Sequence, residues 1–243
     1  MQATKDKSIL FTAEMVRAIL AGTKTQTRHI MKIQHTPDET GRWSFIVSST
    51  NSKSVGKFSW SVLDETGDTV AERGIERETQ YKSPYGLAGD RLWVKETFCP
   101  RYWGIEFRAD VKPENEIEVA EIMQKYGSKW KSARFMPRTA SRITLEIVSV
   151  KVERLQDISE GDAKAEGASC TLWYQPHGKS ERNSINLSGT AISAVHPSHC
   201  KPNGISYRNG FATLWDDING KKEGCDWESN PFVFAIEFKR IEA

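Results

Sequence analysis

No run of about 18 apolar residues occurs in this chain, so it offers no segment able to cross a bilayer as a helix. The opening "MQATKDKSIL" lacks the apolar stretch of a secretion signal. There is no CxxC pair: Cys99, Cys170, Cys200 and Cys225 are widely spaced, which argues against zinc-ribbon and dithiol redox chemistry. Scattered cysteines without a leader read as free thiols of a reducing compartment, so a cytoplasmic location is expected. Excess charge of one sign is also missing. A net charge of +2 argues against a basic coat for long nucleic acid and leaves room for a local basic pocket. Internal repeats and low-complexity tracts are absent, so nothing points to a solenoid or a disordered array.

What is present is an ordinary globular composition, with 38% hydrophobic and 27% charged residues over 243 positions. That length can bury a sizeable core. Eight tryptophans favour aromatic-lined binding surfaces.

The segment "SILFTAEMVRAILAG" reads as a short strand at Ile9–Phe11 and then a helix. Thr12 is placed to cap the helix, because its hydroxyl can accept a free N–H of the first turn. Met15 with Ile19, and Val16 with Leu20, fall at helical spacing. Gly22 suits the left-handed stop. Immediately beyond lies the polar run Thr23 to Arg28, longer than a plain turn requires.

Farther on, "WSFIVSS" and "KFSWSVLD" predict a hairpin around "TNSKSVG". In "YGLAGDRLWVKETF", Gly89 and Asp90 make a turn, and Leu92 and Val94 alternate with Trp93 and Lys95 as a strand. The region near "ENEIEVAEIMQKYG" is expected to be helical. "RITLEIVSVKVERL" is the strongest strand signal. Ile143, Leu145 and Ile147 share one face and Val148, Val150 and Val152 the other, a parity change that predicts a bulge or bend. "DISEGDAKAEG" predicts a short helix capped by Ser159, with Asp162 three residues on. Gly167 would stop it, leaving Glu166 at the C-terminal end, where a carboxylate opposes the helix dipole. A local misfit of that kind can mark a site. Phe211, Leu214, Trp215 and Ile218 predict a further helix, and Phe232, Phe234, Ile236 and Phe238 alternate as a closing strand. Many strands with few short helices indicate an α+β, β-rich chain, expected to be a small barrel with helical decoration. One domain spanning 1–243 is expected, with inserts near 35–85, 100–137 and 168–207.

The segments "ILAGTKTQTR", "GDRLWVKE", "LQDISEGDAKAEG" and "FVFAIEF" occur in this order. Together they resemble the ASCH family, whose fold is a β-barrel like that of PUA RNA-binding domains. "PYGLAGDRLWVKETF", "MPRTASRI" and "LWDDINGKKEGCDWESNPFVFAIEF" extend the resemblance to the longer ASCH proteins of bacteriophages and prophages. The matching segments cover about half the chain. Some small ASCH proteins are amidohydrolases that remove the acetyl group from N4-acetylcytidine, and others are thought to bind RNA without catalysis. The resemblance implies a catalytic set of Lys24, Thr27 and Glu166, with no cofactor. Lys24 matches two residues after Gly22, and Thr27 immediately before Arg28. Glu166 matches through "LQDISEGDAKAEG".

Amide hydrolysis requires a nucleophile, a base, a proton donor to the leaving nitrogen and a group to hold the oxyanion. Thr27 would be the nucleophile. Lys24 would be its base, provided the amine is neutral, and Glu166 would orient Lys24 or carry a proton. The plain alternative is a solvated turn of ordinary surface residues. Arg28, Trp93, Glu96 and Arg142 are candidates for substrate binding. Arg142 would grip a phosphate or pair with an acid, and Trp93 would stack a base or pack in the core. Glu96 would face the site or end a strand in solvent. Cys170, His177, His196, His199 and Cys200 are metal-ligating residue types, but their spacing matches no known zinc pattern, and no metal is expected.

Three functions remain open at this level. One is an amidohydrolase acting on a small acylated cytosine nucleoside. Another is a module that binds modified RNA or a modified nucleotide. The third is a phage accessory protein directed at a host protein.

Overall fold

The computed structural model describes residues 6–34, 41–46, 56–62, 80–102, 104–169, 171–176, 183–185 and 200–241. The elements in chain order are β1 (Asp6–Leu10), α1 (Ala13–Leu20), β2 (Gln26–Ile30), β3 (Gly41–Phe45), β4 (Phe58–Val62), β5 (Gln80–Tyr81) and β6 (Arg91–Lys95). There follow β7 (Phe98–Arg101), β8 (Gly104–Phe107), α2 (Glu116–Lys125), β9 (Thr144–Arg154), α3 (Glu160–Ala165) and β10 (Thr171–Pro176). The last are β11 (Asn183–Ile185), β12 (Cys200–Ser206), α4 (Tyr207–Asn219) and β13 (Phe232–Ile241). The chain is α+β and β-rich. Its main sheet is mixed and five-stranded, in the order β1-β6-β9-β13-β2, and among the described residues no sheet closes on itself. No helix of the described residues is long and apolar enough to cross a membrane.

Two compact units emerge, one of residues 1–25, 40–151 and 236–243, the other of residues 26–39 and 152–235. In the first, β1 runs parallel to β6, and β6 runs antiparallel to β9. Ile9, Leu92, Val94, Ile143, Leu145 and Ile147 are all buried, so one parity of each of these strands supplies the core. α1 packs Val16 and Ile19 inward, and the Thr12 hydroxyl accepts from the Met15 N–H. Gly22 has φ 73°, the left-handed geometry that frees the chain to leave the helix. The β3–β4 hairpin forms with Trp43 opposite Trp60, and β5 extends it. The loop at 47–55 lies outside the described residues.

The second unit is built on a core of Leu155, Ile158, Ala163, Phe211, Trp215 and Val233, with Tyr207 and Trp227 packed against it. Ser159 caps α3 by accepting from the Asp162 N–H. Ser206 caps α4 in the same way, accepting from Asn209. Ile218, read as part of the inner face of α4, is instead 48% exposed. Parts of 168–207, read as irregular, form the antiparallel sheet β11-β10-β12; the rest of that insert is outside the described residues.

Two strands depart from the simple alternating pattern. β9 runs unbroken from Thr144 to Arg154, and Val148 is 45% exposed while Val150 and Val152 are half-buried. In β13, Phe232 to Ile236 are all buried, so Val233 and Ala235 contribute as well as the aromatic face. A strand covered on both sides loses its period-two signature.

Candidate functional site

The fully buried charged residues among those described are Lys24, Arg28, Glu96 and Glu166. Each of them belongs to the set selected from sequence. Burying an ammonium, a guanidinium or a carboxylate costs several kcal/mol unless it is paired. Such residues do not drift into the interior of a solvated turn.

Lys24 lies in the first unit. Beyond Gly22 the chain folds back on α1, with the Thr23 and Lys24 N–H groups both donating to the Ala18 carbonyl at 2.9 and 3.1 Å. This doubly used acceptor fixes the backbone of Lys24 against the helix end. The side chain is 2% exposed, with its ammonium 5.8 Å from the centre of the Phe11 ring. Phe11 packs in turn on Phe238. The next residue, Thr25, accepts from the Phe238 N–H at 2.9 Å, so the start of the polar run is strapped to β13.

Thr27, Arg28 and Glu166 lie in the second unit. Thr27 is 4% exposed. Along β2, Gln26 and Arg28 share one parity and Thr27 has the other. Arg28 is the centre of a carboxylate cluster. Its Nε and Nη2 donate to Glu153 Oε1 at 2.9 and 2.7 Å, and its Nη1 donates to Glu166 Oε1 at 3.1 Å. Asp162 Oδ2 is 3.8 Å from Nη2. Gln26 completes the arrangement, accepting from Arg28 at 3.3 Å and donating to Asp162 Oδ1 at 2.8 Å. Phe211 lies beneath the guanidinium at 5.9 Å.

Glu166 is reached by the last turn of α3. Its N–H closes the helix on the Asp162 carbonyl at 2.8 Å, and Gly167 follows at φ 81°. The unfavourable carboxylate at the helix C-terminus is offset by Arg28. Partial burial pushes the Asp162 carboxyl up. Hydrogen bonds from Ser159 and Gln26, with the Arg28 charge, outweigh it and hold the group below its ordinary range.

Glu96 and Arg142 form another cluster, in the first unit. The antiparallel register of β6 and β9 brings the end of one strand beside the start of the other. Arg142 grips Glu96 as a fork, at 2.9 and 3.0 Å, and grips Asp110 at 2.8 and 2.8 Å. Its guanidinium stacks 3.9 Å from the centre of the Phe107 ring. Partial burial works against the charge, but the two carboxylates prevail and raise Arg142 above its usual range. Glu96, for which a solvated strand end was the alternative reading, is only 1% exposed. Trp93, for which core packing was the alternative, is only half-buried, opposite in parity to buried Leu92 and Val94. Lys95 and Arg138 lie 5.1 and 5.9 Å from its ring.

Sequence reasoning did not select Glu153, Gln26 or Asp110 as site residues, and it gave Asp162 only a capping role. Two signals were available. Asp162 and Glu166 stand four apart and therefore share a helix face. Gln26 and Arg28 stand two apart on a strand. Glu153 and Asp110 carried no local signal.

The zinc question falls on Cys170, His177, His196 and His199, which lie outside the described residues, as does the side chain of Cys200. Among the described residues no group of His, Cys, Asp and Glu is arranged to hold a metal. Cys99 and Cys225 are free thiols. No protein-family model matches the chain, and no curated protein or solved structure gives a significant match.

Proposed function

We propose that this chain is an ASCH-type amidohydrolase that deacylates a cytosine nucleoside of the N4-acetylcytidine kind, on a PUA-like barrel. The observation that carries the reading is the burial of Lys24, Thr27 and Glu166, at 2, 4 and 4% exposure. A polar turn on the surface would leave all three in water. A reactive set needs them withdrawn from it, because a dry site strengthens every electrostatic interaction within it.

In this reading Thr27 Oγ1 attacks the acyl carbonyl carbon while the Lys24 amine, a role that requires it deprotonated, accepts the hydroxyl proton. The tetrahedral adduct collapses, the C–N bond breaks and the proton passes to the exocyclic nitrogen, releasing cytidine. Water then attacks the acyl-threonine ester and releases the carboxylic acid, returning Thr27 to its hydroxyl form. Glu166 orients Lys24 or relays the proton. Arg28 holds Glu166 Oε1 and is a positioning residue rather than a substrate contact.

The competing reading, a module that binds RNA or a modified nucleotide, would use Lys24, Arg28 and Arg142 on phosphates or bases. Arg28 is already matched by Glu153 and Glu166, and Arg142 by Glu96 and Asp110. A phosphate would have to compete with carboxylates already in place, Glu166 and Glu96 buried and Asp110 open to solvent, to reach either guanidinium, which favours the enzyme.

The test is steady-state release of cytidine from N4-acetylcytidine, measured beside binding of the same ligand. Thr27→Ser retains turnover and Thr27→Val loses nearly all of it. Lys24→Arg stays protonated at any working pH, so turnover collapses while binding largely survives. Glu166→Gln costs roughly 100-fold or more. Full activity in Lys24→Arg removes Lys24 as the base. An unmutated protein inactive on every acylated cytosine puts the binding module ahead.

A further inference from the structure

The two-stranded sheet β7–β8 leaves one side of β8 unpaired among the described residues, while the far side of β7 bridges to Lys131. The pairs are Phe98 with Phe107, Cys99 with Glu106, Pro100 with Ile105 and Arg101 with Gly104. The Arg108 N–H donates to the Thr97 carbonyl at 2.9 Å, and this fixes which pairs exchange hydrogen bonds. Counting inward by alternation, Cys99–Glu106 and Arg101–Gly104 are bonded pairs, while Phe98–Phe107 and Pro100–Ile105 are not. Pro100, which has no N–H, therefore falls where none is needed. The consequence on the other edge is that the Ile105 N–H and C=O and the Phe107 N–H point away from β7.

A cavity of about 320 Å³ lies along that edge. Ile105, Glu106 and Phe107 of β8, Val119 and Ile122 of α2, and Trp130 line it. Successive strand residues point to opposite faces. Three in a row can line one cavity only where it follows the strand's edge. α2 buries Met123 and leaves Ile117 and Ile122 at 77% and 41% exposure, so an apolar wall faces open space. The cavity's two carboxylates each have a cation, Arg101 for Glu106 and, for Asp110, the Arg142 that it shares with Glu96, both at 2.8 Å. Lys112, exposed at the rim, has no ion-pair partner among the described residues and is the cation the groove offers to a ligand carboxylate.

We propose that the groove between β8 and α2 docks an extended peptide segment, which pairs with the open β8 edge and sets an apolar side chain in the cavity and a carboxylate against Lys112. An open strand edge offers main-chain hydrogen bonds to such a segment, and a flanking pocket supplies the side-chain preference. The surface belongs to the 100–137 insert and is independent of the hydrolase chemistry.

The experiment uses the full chain and pools of fluorescein-labelled octapeptides with a fixed Val-x-Val-Asp core, followed by fluorescence anisotropy. At least one pool saturates with a micromolar dissociation constant, and the amide signals of Ile105 and Phe107 shift on binding. N-methylation across the peptide core, which deletes the donors needed for strand pairing, weakens binding at least tenfold. Ile122→Asp, a change at an exposed position that leaves the fold intact, does the same, and Lys112→Glu weakens it severalfold. The proposal is overturned if no pool saturates by about 1 mM. It is equally overturned if N-methylated pools bind as well as the parent, or if binding survives Ile122→Asp unchanged.

Discussion

Arg28 and Arg142 are two solutions to one electrostatic problem, and they differ in where the solvent is. Arg28 has 1% of its side chain exposed and sits among Glu153, Asp162 and Glu166. Arg142 has 29% exposed and serves two acids, one buried and one open. Around Arg28 both the cation and Glu166 are withdrawn from water and are paired with each other. Around Arg142 only Glu96 is fully withdrawn, and the arginine itself can still be hydrated. The contrast teaches that ion-pair counts say little. What decides the cost of breaking a cluster is which partners are left without either water or a counter-charge.

The largest effect follows directly. Arg28→Met removes the cation that Glu153, Asp162 and Glu166 share, one of these carboxylates being buried. The expected loss is about 3–5 kcal/mol of stability, read by urea unfolding, with a melting temperature lower by roughly 10 °C. Arg28→Lys keeps the charge but cannot donate in three directions from one plane, so it lies between the two. An unfolding midpoint unchanged in Arg28→Met would mean that the carboxylates find solvent without it, and the comparison with Arg142 would collapse.

Arg142→Met is the milder counterpart. Glu96 loses its fork, but the site that Arg142 vacates is already open to water on one side, and the expected cost is about 1–3 kcal/mol. A double-mutant cycle with Glu96→Gln sharpens the difference. Coupling of about 0.5–3 kcal/mol is expected for groups in direct contact, below the loss in Arg28→Met. Equal losses for Arg28→Met and Arg142→Met would show that burial of the arginine itself is irrelevant.

The same contrast marks what could be read without a structure. α1 was legible because cap, period and stop are all local: Thr12 and Gly22 do what their chemistry indicates, and of the pairs Met15 with Ile19 and Val16 with Leu20 the helix buries Ile19 and Val16 and leaves Leu20 37% exposed. The β3–β4 hairpin was legible from its two aromatic runs. The candidate residues Lys24, Arg28, Glu96 and Glu166 were picked out by motif, and their burial sets them apart from ordinary surface charge. Their partners were not legible. Glu153 comes from β9 and Asp110 from the turn after β8, and nothing in their neighbourhoods announces an arginine. Strands β10 to β12 were hidden by the Ser-, Asn- and Gly-rich composition of their segment, because pairing is decided by the opposite strand and not by the residue itself. In β9 Val148 lies on the other parity from Ile143, Leu145 and Ile147 and is exposed, so β-branched residues also cover the outside of a strand.

The smallest effect tests the rim of the Arg28 cluster. Asp162 is 37% exposed, so water already shares in its solvation, and only the direction of its contribution is firm. Its folded-state pKa is depressed below the ordinary 3.8 by Ser159, Gln26 and Arg28 acting against burial. A depressed acid binds fewer protons in the folded state than in the unfolded one. Its contribution is therefore complete above the unfolded value and is lost as pH falls through the folded one. Stability should decline as pH drops below about 4, and Asp162→Asn should flatten that part of the curve while changing the neutral-pH value little. The measurement is the urea midpoint of both proteins at a series of pH values between neutrality and the acid limb. Arg28→Met should flatten the same limb, because the charge that helps to lower Asp162 is gone. If Asp162→Asn leaves the acid slope intact while Arg28→Met abolishes it, the pH dependence belongs to the buried partners of Arg28 and not to the one at the rim.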